Sequence, residues 1–164
     1  MLGLNIRKAE LVFLLKFFVI YGVLQYVIYV APMQFITEPI ASLEASFLGL
    51  ENAGSTILFD SVSFVINNSC TGFVSASILA AIVFSLKKPD LKKKLYIFAV
   101  CALTLFIINL VRVYLVILFG IRFGVTLAEF AHIVSWFLMS AAIIVCWYMA
   151  TKKIIGVKEF RGLL

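Results

Sequence analysis

The sequence predicts an all-α integral membrane protein: a four-helix transmembrane bundle, with an external amphipathic helix and a short hairpin before the second span. Three observations predict this class. Hydrophobic residues make up 64% of the 164 residues and charged residues only 13%, against roughly 45–50% and roughly 25% in soluble domains. The mean hydropathy is +1.14. The apolar residues also gather into four runs, each near the roughly 20 residues that a spanning helix needs. Four such spans leave room for loops but not for a separate soluble domain, so residues 1–164 read as one membrane domain. The composition argues against a soluble, disordered or nucleic-acid-binding chain despite a net charge of +6. The basic excess suits anionic headgroups and sets topology instead.

The first span covers about 11–31. It follows Arg7 and Lys8, stops before Pro32, and is interrupted only by Lys16, which can snorkel toward the headgroups. It is longer than the apolar core of a signal peptide and lacks a clean small-x-small cleavage site, so it reads as a retained helix. The second span, about 70–86, ends at a cluster containing Lys87, Lys88, Lys92, Lys93 and Lys94. The third, about 95–119, carries Asn109 and Arg112. A short turn from Gly120 to Thr126 leads to the fourth, about 127–150, which carries Glu129 and His132 and ends at Lys152 and Lys153.

The loop 32–69 has no Lys or Arg but contains Glu38, Glu44, Glu51 and Asp60. The basic residues flank the other ends of the spans, with Lys158 and Arg161 following the last one. The positive-inside rule therefore puts both termini in the cytoplasm and the long loop outside. Within that loop, Ile36, Ile40, Leu43 and Phe47 recur as the apolar stripe of a helix lying on the membrane face. Thr37 is its expected N-cap, Pro39 falls in its first turn, and Gly49 is its stop. Thr56 to Ile66 is β-branched and aromatic and predicts the short hairpin.

This topology brings three reactive residue types to one depth. Cys70 begins the second span after Asn67, Asn68 and Ser69, which are good cap residues. A helix N-terminus there would stabilise a thiolate. Gly72, Ala76 and Ala80 form a small-residue stripe that admits a neighbouring helix. Arg112 lies roughly 10 Å below the outer end of its span and His132 roughly 8 Å from the same side, at 1.5 Å per residue. Asn109 is one turn from Arg112, and Glu129 is one turn from His132, placed to orient the imidazole.

Each residue also has a plainer reading. Cys70 could be an inert buried thiol, Arg112 a snorkelling or helix-pairing cation, and His132 a histidine bonded to a neighbouring helix. Cys101 and Cys146 sit among apolar neighbours and read as packing. An arginine within a span costs about 2.5–3.5 kcal/mol on the insertion scale, which favours a partner or a wet cavity. Together, Cys, Arg and His supply a nucleophile, an oxyanion stabiliser and an acid–base group. No CxxC, HExxH or GxGxxG is present, and neither a metal nor an organic cofactor is expected.

These motifs resemble those of the exosortase and archaeosortase family. Asn68-Ser69-Cys70-Thr71-Gly72 looks like its Cys-Ser/Thr-Gly motif, Asn109-Leu110-Val111-Arg112 like its Asn-x-x-Arg segment, and Phe130-Ala131-His132 like its third motif. The order and spacing agree from roughly Phe47 to Met149. The chain is similar to a reduced core of the family, and Ile133 stands where an acidic residue often follows the histidine. The resemblance implies a prokaryotic cell-membrane cysteine transpeptidase with Cys70, Arg112 and His132 catalytic, and Asn109, Glu129 and Asn68 supporting. Its implied substrates are surface proteins with a C-terminal motif, a transmembrane helix and a basic tail, transferred through a thioester to a lipid or other surface acceptor. The competing expectation is a non-enzymatic transporter subunit or assembly factor, with Arg112 and His132 lining an ion path.

Overall fold

The computed structural model describes residues 8–60 and 62–156. Arg7, Lys158 and Arg161, counted among the basic flanks, lie outside them. The elements run α1 (Lys8–Val30), α2 (Gln34–Leu48), β1 (Glu51–Ala53), β2 (Thr56–Phe59), β3 (Val62–Val65), a 3-10 turn (Asn68–Cys70), α3 (Phe73–Ser85), α4 (Leu91–Phe123) and α5 (Val125–Ile155).

Among the described residues, three helices are long and apolar enough to cross a membrane: α1, α4 and α5. The expected second span is shorter than its sequence suggests. Helix α3 has 13 residues, about 20 Å of rise, short of the roughly 30 Å hydrocarbon core. Polar hydrogen bonding takes the first residues of that run: Asn68 to Cys70 form the 3-10 turn. Cys70 therefore precedes the helix instead of opening it. At its other end α3 gives way to extended backbone at Leu86, whose carbonyl accepts a hydrogen bond from Lys94 Nζ.

The two long helices exceed their expected bounds. Helix α4 has 33 residues and α5 has 31, about 50 and 46 Å. The turn expected over Gly120–Thr126 contracts to Gly124, whose φ of 89° lets the chain reverse directly. The helices α4 and α5 pack along each other, and α3 packs against α1, α4 and α5. Helix α1 has no fully buried residue; Phe17, Ile20, Leu24 and Ile28 on one face are half-buried, and the opposite face is exposed. Gln25 Nε2 ties it to Ser77 Oγ of α3 at 2.7 Å.

Helix α2 forms, and Gly49 ends it in the left-handed region with its N–H on the Ala45 and Ser46 carbonyls. Its start differs from the sequence expectation. Met33, not Thr37, precedes the first turn, and Pro39 lies inside the helix. The buried positions are Thr37, Ile40, Ala41, Glu44 and Ala45, whereas Phe47 is 67% exposed and Leu43 is also exposed. Of the expected stripe, Ile40 is buried while Leu43 and Phe47 face outward, and the small Ala41 and Ala45 let the other side of the helix pack closely.

The strands form an antiparallel meander in the order β1-β2-β3, so the expected hairpin gains a third strand. Ile57 pairs with Phe64 and Thr56 with Val65. The sheet docks where α4 meets α5. A Cβ at Gly120 would sit 2.6 Å from the Phe64 ring and 3.2 Å from Ala128 Cβ, so only glycine admits that contact.

Two apolar clusters result. At the sheet end, Ile40, Ala41 and Ala45 of α2 meet Ile57, Ile66, Cys70, Val113 and Ile117. At the lysine end, Leu79 and Val83 of α3 meet Ile97, Cys101 and Leu105 of α4 and Met139 and Ile143 of α5.

Candidate active site

The segment that carries Cys70 is held by its own polar residues. Asn67 is extended, and its Oδ1 accepts the Ser69 N–H at 3.0 Å. The Cys70 N–H donates to the Asn67 carbonyl at 2.9 Å. Thr71 Oγ1 donates to the Asn68 carbonyl at 2.7 Å and accepts the Phe73 N–H at 3.3 Å, closing the first turn of α3. Asn68 has a different task from the capping role its position suggested: its Nδ2 donates to the Ile28 carbonyl at 2.8 Å, anchoring the turn to the end of α1.

Gly72 makes the next step possible. Its φ is +81°, and a Cβ there would lie 3.4 Å from three Asn109 side-chain atoms. That left-handed turn, which glycine adopts without strain, sets the backbone beside Asn109, whose Nδ2 donates to the Cys70 carbonyl at 2.7 Å. The same side chain accepts from Arg112 Nη1 on Oδ1 at 3.0 Å. One asparagine thus joins the turn before α3 to the guanidinium on α4.

Arg112 is 7% exposed. A buried charge needs compensating polar contacts. Nε donates to Ser135 Oγ at 2.8 Å, Nη2 faces His132 Nδ1 at 3.3 Å, and the guanidinium carbon lies 4.7 Å from the centre of the Trp136 ring. A guanidinium has five N–H donors. Three point at Asn109, His132 and Ser135, leaving two with no protein partner among the described residues.

His132 is held from both sides. Trp136 Nε1 donates to its Nε2 at 3.1 Å, and Arg112 approaches Nδ1. Both neighbours can only donate, while a neutral imidazole has one acceptor nitrogen. It therefore accepts from one of them at a time, and Trp136 is the closer. Ser135 Oγ donates to the His132 carbonyl at 2.6 Å, completing the frame.

Cys70, Arg112, His132 and Glu129 line one cavity of about 610 Å³, with β3 and Asn67 on its other side. The Cys70 thiol faces Asn67 Oδ1 at 3.5 Å, and no hydrogen bond joins it to His132 among the described residues. Glu129 reaches the cavity without a hydrogen bond to His132; Trp136 and Arg112 hold the imidazole instead. The sequence reading did not find Ser135 or Trp136. A signal was present, since they follow His132 by three and four residues and so share its helical face. Cys101 and Cys146 lie away from the site, where Cys101 Sγ faces the Cys146 carbonyl at 3.4 Å.

Chemically, the cavity combines a thiol, a fixed cation with free donors and an imidazole. A model of the transmembrane exosortase family matches residues 4–148 of this chain, well over half of it. That match takes in α1, which the sequence motifs did not cover. No curated protein and no solved structure matches the chain.

Proposed function

The chain belongs to the transmembrane exosortase family, membrane transpeptidases that act on proteins bearing C-terminal sorting signals, and from that premise we propose that Cys70 is the nucleophile of a cysteine transpeptidase. The observation that carries the proposal is that Asn109 hydrogen bonds both the Cys70 carbonyl and Arg112, whose Nη2 lies 3.3 Å from His132 Nδ1, with Cys70, Arg112 and His132 lining one cavity.

The reaction follows from these positions. Cys70 Sγ attacks the carbonyl carbon of the scissile peptide bond, forming the C–S bond and placing negative charge on the carbonyl oxygen. Arg112 offers its two uncommitted N–H donors to that oxygen. His132 takes the thiol proton and returns it to the leaving amine as the C–N bond breaks. The fragment bearing the substrate's membrane helix departs, and a thioester remains on Cys70. A lipid or other surface nucleophile then attacks the thioester, passing its proton back through His132 to the sulfur; water in that place would give simple proteolysis. Asn109 positions both partners without touching substrate.

The lysines support an orientation. Lys8 and Lys16 on α1, Lys87 and Lys88 between α3 and α4, Lys92 to Lys94 in the first turn of α4, and Lys152 and Lys153 at the end of α5 would make that end of the bundle cytoplasmic by the positive-inside rule. The site would then face outward. A cysteine placed at Glu51 should react with a membrane-impermeant reagent in intact cells, and one at Asp90 should not; the reverse pattern would invert the arrangement. The mechanism itself is tested by trapping. Incubation with a sorting-signal substrate should leave an acyl group on Cys70 that hydroxylamine removes, and cleavage without any such adduct would exclude the thioester route.

A further inference from the structure

The strand β3 lies at the edge of its sheet, and its pairing fixes which backbone groups are spare. Ile66 N–H donates to the Ser55 carbonyl at 2.8 Å, one step beyond the Thr56–Val65 pair. Backbone groups alternate in direction along a strand. Phe64, like Ile66, therefore bonds to β2, while the N–H and C=O of Ser63 and Val65 point away from the sheet. No described residue hydrogen bonds to these four groups.

They open onto the site. A cavity against the face of a strand is lined by alternate residues, because side chains alternate. The 610 Å³ cavity is lined by six consecutive residues, 62–67, so it runs along the β3 edge. Its far wall is α4 and α5, with Arg112, Ala128 and His132, and its end is Cys70.

We infer that the free edge of β3 binds the substrate's backbone, the residues before the scissile bond adding as a parallel strand beside Ser63–Val65 and ending at Cys70. This rests on Cys70 being the nucleophile and deepens that reading by naming how the peptide is held. The direction follows from the chain path. The strand β3 leads through Asn67 to Cys70 and then into α3 among the membrane helices. A substrate whose membrane helix follows the scissile bond must run the same way, parallel to β3. Added strands draw affinity from main-chain hydrogen bonds, which tolerate varied side chains.

The probe is a mixed-sequence acetyl-tripeptide chloromethyl ketone, in which the thiolate displaces chloride. It is compared with the same reagent N-methylated along its backbone and with chloroacetamide, which has no peptide. Alkylation of Cys70 is followed by mass spectrometry in the full-length protein. The unmethylated peptide should react faster than the methylated one by about tenfold, as a lost pair of hydrogen bonds implies. Val65→Pro should abolish that advantage, since it removes an outward N–H while sparing the β2 ladder, where edge strands accept proline. Val65→Ala should keep the advantage, and chloroacetamide should react equally with all three proteins. If chloroacetamide alkylates Cys70 but methylation makes no difference in the natural protein, the edge does not bind peptide, whatever Val65→Pro does. If chloroacetamide leaves Cys70 untouched, the nucleophile reading fails instead.

Discussion

Cys70 and Cys101 are both buried free thiols, one at the sheet end of the bundle and one at the lysine end. Around Cys101 the neighbours are Leu79, Val83, Ile97, Leu105, Met139 and Ile143, and its thiol meets a single backbone carbonyl. Around Cys70 an apolar cluster on one side gives way on the other to Asn67, Asn109, Arg112 and a cavity. Both are buried, so burial alone cannot be what makes a thiol useful. What differs is whether polar groups are preorganised beside it and whether a substrate can arrive. The lysine end is a packing solution, and the sheet end carries the polar groups.

The largest expected effect tests that contrast directly. Cys70→Ala should abolish substrate processing, while Cys101→Ala and Cys146→Ala should remain near the natural rate in a membrane-based cleavage assay. Equal losses at both ends would mean that the cysteines act through packing alone.

Next comes the charge beside Cys70. Arg112→Ala should lower kcat by roughly 10²–10³, the loss seen on removing one oxyanion donor. Arg112→Lys should retain weak activity at most, because a point charge lacks the planar fork that meets Asn109, Ser135 and His132 together. Normal accumulation with normal cleavage by Arg112→Ala would leave the arginine without a catalytic role, and failure to accumulate would make it a structural anchor.

Glycines give a smaller effect. Gly72→Ala should cost about 1–2 kcal/mol for its left-handed backbone and should lower activity by straining the turn that sets the Cys70 carbonyl against Asn109. Gly22→Ala on α1 meets nothing within 4 Å, and should be neutral or stabilising by up to about 1 kcal/mol as a helix improves. Thermal unfolding in detergent measures both, and equal shifts would remove the special standing of Gly72.

The effect furthest from the chemistry is a pH dependence confined to the sheet end. Glu44 is 1% exposed, and its Oε2 has no hydrogen-bond partner. Burial pushes its carboxyl up to about 7 from an ordinary 4.5. The folded state therefore holds this proton over a range where the unfolded state has lost it. Stability from this group is full below pH about 4.5 and falls as pH rises toward 7. Glu44→Gln should match the natural protein at pH 4 and exceed it at pH 8, read as the unfolding midpoint. A lower midpoint for Gln at pH 8 would indicate that the carboxylate has a partner.

The class of the protein was legible because hydropathy and lysine placement are properties of the chain, whatever it packs against. The apolar runs at 11–31, 95–119 and 127–150 correspond to three long helices, and the transmembrane exosortase family model matches residues 4–148. Helix faces were not legible in this way. A soluble helix reveals its buried side as an apolar stripe. Here lipid and protein interior are both apolar, so α1, α4 and α5 are hydrophobic all round and periodicity carries no direction. In α2 the periodicity marked Leu43 and Phe47, which face outward, and gave no sign that Glu44 and Ala45 are buried.

By itself, then, the sequence determined a membrane protein with a cysteine, an arginine and a histidine in a given order, because composition and motifs are local. Tertiary structure alone decided that Cys70 precedes its helix, that Asn109 reaches the Cys70 carbonyl over Gly72, and that Trp136 meets His132 where Glu129 was expected. It alone placed the edge of β3 along the cavity. Those outcomes depend on how closely two backbones approach and which rotamer the approach leaves free, and that is settled only when the elements meet.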